Sequence, residues 1–311
     1  MDTITPRQRR NPHRLVAVTA WTVAALVVVA SVAVGMVLIQ PNEAPTPAPT
    51  TASTPPQVPS AAPTPPPTPA APPKLTQEEL AGFPLAFYDG LIPTLLDSTT
   101  VAPSNQWKVA TPNAPLVALY ATPATDATPI AALGNVVPTV KTPTSVAIYG
   151  VSGDMILVST PSRNATPAPG KPASSATFAW ARAADFTITN IAQTVMIDNL
   201  HSTISIVSPT GKVSTSEVAR LGTTDDPTPA ATWSYIESIY TDARVTYTHG
   251  NPISLTGAHS STLSGYGGNS ALTALHFYPD ASGNSHGCVR VSAAMTKALA
   301  ALPVGTPIIF S

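Results

Sequence analysis

Cysteine is nearly absent from this sequence, since Cys288 is the only one among 311 residues. A single cysteine can form neither an internal disulfide nor a cysteine-rich zinc site. Charged residues make up only 10% of the chain and leave a formal net charge of -1. That balance provides no basic field for a nucleic acid backbone, so we expect no nucleic acid partner. The histidine and cysteine spacings of metal sites are also missing, so we expect no metal and no cofactor.

Charge is missing altogether from 25 consecutive residues that begin at Leu15 and end at Ile39. A helix of this length, at about 1.5 Å per residue, crosses a hydrocarbon core of about 30 Å. Four arginines precede the run within residues 1–14. The positive-inside rule therefore predicts a single-pass transmembrane helix in the cell membrane, with residues 1–14 in the cytoplasm and the remainder outside. A cleaved signal peptide is the alternative, although the apolar part of a signal peptide is usually shorter.

Large apolar side chains are scarce in residues 40–73, where proline, alanine and threonine dominate. Such a segment cannot bury a core, so we expect a disordered linker with polyproline II character. A linker of this kind is a semi-rigid spacer of about 3.1 Å per residue. An anchor followed by a spacer predicts that the working domain reaches a target at some distance from the membrane, which in a bacterium is the cell wall.

Residues 74–188 have the pattern of a small β domain. Short β-branched or aromatic runs at 116–120, 145–149 and 155–158 are bounded by turn formers and predict strands. A short helix is expected at 76–81, with Thr76 as its cap, and Trp107 and Trp180 are expected in the core. Residues 105–187 resemble a bacterial Src-homology-3-like (SH3-like) domain. Such domains occur beside wall-acting enzymes, and a spacer barrel without a ligand is the alternative.

Residues 189–311 predict a second β-rich domain, so that the whole chain is mainly β. Successive strands are expected at 194–200, 203–213 and 214–222, with a turn at 208–211, and the pattern continues through 228–240. Residues 257–270 are rich in glycine and serine and predict a long loop of the lid or binding type. A strand at 273–278, a short helix at 293–301 and a closing strand at 306–310 complete the domain.

The only cysteine lies in a sequence suited to nucleophilic catalysis. Ser285, His286 and Gly287 directly precede Cys288, and six turn formers precede them. A thiol of ordinary pKa is mostly protonated at neutral pH, so a catalytic role calls for a nearby imidazole. His286 is two residues away but is not necessarily in line for proton transfer. His276 ends a strand-like run on the other side of the turn and is the candidate base.

The segment 285–290, Ser-His-Gly-Cys-Val-Arg, resembles the signature of the L,D-transpeptidase catalytic domain, which also has an upstream histidine. Gly222 and the residues after it are similar to the family's segment before the lid. The resemblance covers roughly 189–311 and implies a β-sandwich-like domain that acts on peptidoglycan stem peptides, both donor tetrapeptide and acceptor. It also implies that the protein reacts covalently with β-lactams, carbapenems in particular.

Carried over residue by residue, the resemblance implies a role for each position of the motif. Cys288 would be the nucleophile and His276 the proton acceptor. The backbone carbonyl of Phe277 would orient the imidazole of His276, and Phe277 would also lie beside the substrate. The backbone N–H groups around His286 and Gly287 would form the oxyanion site, and Ser285 would support it. Arg290 would bind or orient a substrate carboxylate, for which its guanidinium is well shaped.

The sequence departs from the family in three places. Only eight residues separate His276 from Ser285 where the family usually has more, Phe277 stands where glycine or serine is usual, and Ala231 replaces a glycine. These departures leave acceptor selection open, and His259 is the alternative base. Two other functions also stay open: an L,D-carboxypeptidase that hydrolyses the same acyl-enzyme, and a catalytically impaired protein that only binds the wall.

Overall fold

Strands dominate the fold. The computed structural model describes residues 70–265, 268–280 and 282–311, which form sixteen β-strands and two short α-helices. The prediction of a mainly β protein is therefore confirmed. The predicted cytoplasmic tail and transmembrane helix, and most of the predicted linker, lie outside the described residues. Within the described ranges, no helix is both long and apolar enough to cross a bilayer.

The first eight strands form one sheet in the order β1-β4-β3-β7-β6-β5-β2-β8. All neighbours are antiparallel except β1 and β4. Their bounds, with the preceding helix, are α1 Gln77–Ala81, β1 Leu85–Ala86, β2 Lys108–Pro112, β3 Leu116–Tyr120, β4 Pro129–Gly134, β5 Val146–Ser152, β6 Met155–Thr160, β7 Thr177–Arg182 and β8 Phe186–Asn190.

The second sheet has the order β11-β10-β9-β16-β12-β13-β14-β15. Two pairs are parallel, β9 with β16 and β14 with β15. The elements are β9 Thr194–Asp198, β10 Thr203–Val207, β11 Val213–Val218, β12 Thr232–Tyr240, β13 Ile253–His259, β14 Leu272–Phe277, β15 Val289–Val291, α2 Ala293–Ala300 and β16 Pro307–Phe310.

The two sheets share an apolar interior through β12. The hydroxyl of Tyr149 on β5 donates a hydrogen bond to the carbonyl of Ser234 on β12. The Tyr149 ring also meets Trp233 edge-on, with 5.6 Å between ring centroids. Tyr235, only 1% exposed, belongs to the hydrophobic core of the first sheet. One strand of the second sheet thus completes the core of the first.

Several local predictions are confirmed. Thr76 caps α1 and forms a reciprocal capping box with Glu79. The strand predicted at 116–120 is β3, and the turn predicted at 208–211 joins β10 to β11. Trp180 packs against the core, but Trp107 does not. It is half-buried with φ 55° at the turn before β2, where Asn105 accepts its N–H, so the core role predicted for it is wrong.

The long loop predicted at 257–270 begins too early, because β13 continues through His259. Gly257 suggested a loop, but its backbone lies directly beneath an aromatic ring. A Cβ at this position would lie 2.2 Å from the ring of Tyr235. The glycine is therefore needed for close approach within a strand and not for a turn.

The first sheet has eight strands, and its resemblance to an SH3-like domain stays a prediction. The folded part also starts slightly earlier in the chain than the pattern suggested. Pro72, which the composition assigns to the linker, is buried, and its carbonyl accepts a hydrogen bond of 2.7 Å from Arg182.

Candidate active site

Cys288 lies directly before β15, which is an edge strand of the second sheet. Leu275 of β14 pairs with Val289 of β15, and His276 pairs with Arg290. Because side chains alternate along strands, Cys288, Arg290 and His276 project from one face, while Leu275 and Val289 fall on the other face. The opposite face is the buried one, since Leu275 and Val289 belong to the core cluster that also contains residues of α2.

The register brings Cys288 within reach of His276. Neighbouring strands are about 4.8 Å apart, and two residues along a strand span about 6.6 Å. The two Cα atoms are therefore roughly 8 Å apart, a separation that a thiol and an imidazole projecting from the same face can bridge. The sheet thus brings together the predicted nucleophile and the predicted base.

His276 is held in one tautomer. Its Nδ1 atom lies 2.9 Å from the carbonyl oxygen of Phe277, and its side chain is buried. A carbonyl only accepts, so Nδ1 carries the proton and the lone pair of the neutral ring is on Nε2. Tyr247 packs against the imidazole, with 5.4 Å between ring centroids. The Phe277 ring itself lies 5.6 Å from the ring of His249.

Burial favours the neutral form of both groups. It raises the pKa of the Cys288 thiol, although a hydrogen bond from the Ala274 backbone and the charge of Arg290 act in the opposite direction. Burial likewise lowers the pKa of His276, and the charges of Arg290 and Arg220 lower it further, whereas the Phe277 carbonyl raises it. These shifts favour a neutral thiol and a neutral imidazole in the resting site.

Two guanidinium groups flank one aromatic ring beside this pair. Arg290 lies over Tyr278, with 4.0 Å from its Cζ to the ring centroid, and Arg220 approaches the same ring at 5.9 Å. Arg220 also donates to the carbonyls of Tyr278 at 2.9 Å and Ser282 at 3.2 Å. The Nε atom of Arg290 is buried, without a hydrogen-bond partner among the described residues. A positive charge stacked on Tyr278 thus lies beside the thiol.

The turn before Cys288 is built from Ser285 and Gly287. Ser285 is buried, its hydroxyl donates to the carbonyl of Cys288, and its N–H donates to Leu221 at 2.8 Å. Gly287 has a φ of 91°, a conformation that favours glycine, and a Cβ there would lie 3.2 Å from the carbonyl oxygen of Pro227. These contacts fix the backbone that leads into the nucleophile.

The His286 side chain contacts the loop at 222–228. Its side chain is exposed, and its Nδ1 atom lies 2.7 Å from a carboxylate oxygen of Asp226. Asp226 belongs to a tight loop whose backbone passes over Gly222, where a Cβ would lie 2.0 Å from the Asp226 carbonyl oxygen. The His286 side chain therefore ties the loop at 222–228 to the turn that carries the nucleophile.

The other three histidines in the described part of the chain do not join the site. His201 pairs with Asp198 on an exposed turn. His249 is exposed and ends a short 3-10 turn in the left-handed conformation. His259 is buried, and its Nε2 atom lies 2.8 Å from the carbonyl of Pro161 in the first sheet's part of the chain. Because a carbonyl only accepts, Nε2 of His259 carries a proton and donates it to Pro161. His276 is therefore the candidate base.

An open cleft of about 630 Å³ lies on the same face of the second sheet. Tyr240, Leu255 and Leu272 line it from the second sheet, and Tyr88 lines it from the first sheet's part of the chain. Leu272 precedes Ala274 by two residues on β14, and Leu255 is the register partner of Ala274. Because Ala274 is hydrogen-bonded to Cys288, the cleft adjoins the thiol.

Sequence reasoning missed the residues that surround the pair. Tyr247, Tyr278 and Arg220 carry no local motif, because strand register and an isolated bridge place them at the site. The segment after Gly222 did give a signal, since its glycine and prolines mark a tight loop. Within the described ranges, no group of three or more histidine, cysteine or acidic side chains is arranged to hold a metal ion.

Comparison with known proteins gives a limited result. No family model and no curated protein matches the chain. Solved structures that resemble it include several L,D-transpeptidases. One from Stackebrandtia nassauensis is 20% identical, with coverage of 40% of this chain and a TM-score of 0.27. The chain spans only 57% of that protein's length.

Two mycobacterial structures give similar values. L,D-transpeptidase 1 of Mycobacterium tuberculosis is 18% identical, with coverage of 43% of this chain and 77% of that chain and a TM-score of 0.27. An L,D-transpeptidase from Mycobacterium smegmatis is 16% identical, with coverage of 54% and 90% and a TM-score of 0.29. Likenesses of this size do not establish an activity, so the function has to be argued from the geometry of the site.

Proposed function

We propose that this protein is a cysteine-dependent L,D-transpeptidase that joins peptidoglycan stem peptides through a thioester on Cys288. The observation that carries the proposal is the arrangement of Cys288 and His276 on one face of adjacent strands. The Phe277 carbonyl fixes the base in the tautomer that can accept the thiol proton. The likeness of segment 285–290 to the family signature names the substrate class.

In the first half of the reaction, Nε2 of His276 would accept the Sγ proton as the sulfur attacks a carbonyl of the donor tetrapeptide. The tetrahedral oxyanion would be stabilised by backbone N–H groups of the turn at Gly287 and Cys288. When the C–N bond to the terminal D-alanine breaks, the proton on His276 would pass to the leaving amine. A thioester on Cys288 would remain.

In the second half, the amine of an acceptor stem would attack the thioester. His276 would take a proton from that amine, the C–S bond would break, and the thiolate of Cys288 would recover its proton from the imidazole. The product is an amide that joins two stems. Arg290 would hold a substrate carboxylate during both halves, since its guanidinium projects from the same face of the sheet as Cys288 and His276.

The experiment that tests the function is incubation of the full chain with a disaccharide-tetrapeptide, followed by mass spectrometry. A dimer that has lost one D-alanine is the expected product, whereas a tripeptide alone would instead identify an L,D-carboxypeptidase. Cys288→Ala and His276→Gln should abolish turnover with the fold intact. His201→Gln is the matched control, because His201 is an exposed turn histidine, and it should retain wild-type turnover.

We also propose that the chain is anchored in the cell membrane by the segment that starts at Leu15 and ends at Ile39, with the catalytic part outside. The support is the length of this uncharged run and the arginines before it. Protease added to intact cells should digest the catalytic part while the protein stays in the membrane fraction. Recovery of the catalytic part in the soluble fraction would instead indicate a cleaved signal peptide.

A further inference from the structure

Arg163, in the first sheet's part of the chain, is the largest side chain that is fully shielded from solvent, at 0% exposure. Its charge has no carboxylate partner among the described residues. Burial lowers the pKa of this guanidinium to about 10, which still leaves it protonated at neutral pH. Burial of an unpaired cation costs folding free energy unless hydrogen bonds compensate the lost hydration. The hydrogen bonds of Arg163 are therefore important for the fold.

All the hydrogen bonds of the Arg163 guanidinium go to one segment of the second sheet, the connection between β13 and β14. Nε donates to the carbonyl of Asn269 at 2.9 Å, one terminal nitrogen donates to Ser260 at 3.0 Å, and the other donates to Leu263 at 2.6 Å. A single planar group therefore binds three carbonyls spread along this connection. Its fixed fork holds them in one arrangement.

A second residue from the first sheet's part of the chain holds the same connection. A carboxylate oxygen of Asp89 accepts the backbone N–H of Asn269, and the Asn269 amide donates to the Asp89 carbonyl at 3.3 Å. Gly268 lies so close that a Cβ there would be 2.5 Å from the Asp89 carboxylate. The connection is thus clamped just before β14 begins.

The clamped segment leads directly to the nucleophile's cleft. Strands β14 and β15 are parallel, and Cys288 directly precedes β15. The first residues of β14 therefore lie at the same end of this strand pair as Cys288. Ser270 and Leu272 follow the clamp within three residues and line the cleft of about 630 Å³. Tyr88, the neighbour of Asp89, lines the same cleft from the other side.

We propose that Arg163 is a positioning residue, which holds residues 260–263 and 268–272 beside the cleft and thereby controls how a stem peptide reaches Cys288. The first sheet would then be a working part of the binding site and not a spacer. The inference rests on the proposed function for the identity of the substrate, but the clamp and its effect on access to Cys288 are independent of it.

The test uses the full chain with Arg163→Gln and Asp89→Asn. Arg182→Gln is the matched control, because Arg182 is a half-buried arginine of the first sheet that binds Pro72 and Asp185 instead of the connection. The first readout is KM and kcat for the tetrapeptide. We expect KM to rise on the order of tenfold in both clamp variants with kcat nearly unchanged, because a loosened wall misplaces the substrate. The control should match the wild type.

The second readout needs no turnover. It compares the rates at which iodoacetamide and a bulky dye-maleimide alkylate Cys288. We expect the ratio of the maleimide rate to the iodoacetamide rate to rise in Arg163→Gln and Asp89→Asn, because both variants lose the clamp. The ratio should not change in Arg182→Gln. An inactive wild type with this change in ratio would overturn the transpeptidase proposal and retain the clamp.

Folded clamp variants with an unchanged ratio would overturn the positioning role, whatever the activity. Arg163→Lys protects the test against misfolding, since it keeps the buried charge but loses the fork. It should give the same direction of change at a smaller size. Wild-type KM and wild-type labelling in Arg163→Lys, combined with unfolding of Arg163→Gln, would mean that the arginine is only structural.

Discussion

His276 and Arg290 are register partners on parallel strands, so a positive charge faces the side of the sheet that carries the imidazole. Burial and then this charge lower the pKa of His276 from its ordinary value. The base therefore keeps its Nε2 lone pair in mildly acidic solution, where an exposed histidine would already be protonated. This relationship leads directly to a pH dependence.

We expect the acidic limb of the kcat/KM profile to lie below pH 6.5, the ordinary pKa of histidine. Arg290→Gln should move that limb upward, because removal of the charge makes protonation of His276 easier. The absolute kcat/KM of this variant will also fall if Arg290 binds the substrate, but the position of the limb is a separate measurement. Arg182→Gln should leave the limb in place, and an equal limb in all three proteins would contradict the assignment of His276.

Carbapenems should acylate Cys288. For this chain, the expectation rests on the thiol and base on one face of the sheet. Intact mass spectrometry should show one added drug mass in the wild type and none in Cys288→Ala. An adduct of the same size in Cys288→Ala would place the reaction on another residue.

Gly257→Ala should destabilise the fold, because its Cβ would overlap the Tyr235 ring at 2.2 Å. Overpacking of this kind costs about 1–3 kcal/mol, and the loss should appear as a lower midpoint in urea unfolding. Gly82→Ala is the control. Its backbone has an ordinary φ of -80°, and the nearest atom to a Cβ would be 3.4 Å away, so its midpoint should stay close to that of the wild type.

His259 should make the protein sensitive to acid. Burial first, and then the charge of Arg163, lower its pKa to about 3. The unfolded chain, with an ordinary histidine pKa near 6.5, then binds a proton more readily than the folded chain. Stability is therefore fully present above about pH 6.5 and is lost as the pH falls toward 3, by at most about 1.4 kcal/mol per pH unit.

Urea unfolding at several pH values between 7 and 4 measures this loss. His259→Gln removes the titrating group, so the variant should be less stable at pH 7 but should show a flatter dependence on pH. His201→Gln, at an exposed turn, should keep the wild-type slope. Equal slopes in the wild type and His259→Gln would assign the acid sensitivity to other groups.

The sequence was sufficient to predict the features that depend on local chemistry. The cap at Thr76, strand β3, the turn between β10 and β11, and the short helix after β15 all follow from residues close together in the chain. The neighbouring positions of the His276 strand and the strand after Cys288 were also expected. Their parallel direction was not, because a short run of turn formers favours an antiparallel hairpin. The tautomer of His276 is consistent with the carbonyl contact expected from the family.

The features that depend on distant contacts could not be predicted in this way. The glycine and serine content after Gly257 predicts a loop. Nothing near Gly257 in the sequence reveals the ring of Tyr235, which comes from another strand. The roles of Arg163 and Asp89 were equally invisible, since their partners are far away in sequence. The position of Trp107 at the start of the first β-rich region predicts a core residue, whereas the turn before β2 gives it a positive φ.

The buried guanidinium of Arg163 also constrains the order in which the protein can fold. Its three acceptor carbonyls lie 97, 100 and 106 residues later in the chain. During synthesis from the N-terminus, the first sheet is complete while this cation still has only water as a partner. The guanidinium therefore gains its acceptors only after β13 and the segment beyond it have emerged, so the packing around Arg163 is completed late in synthesis.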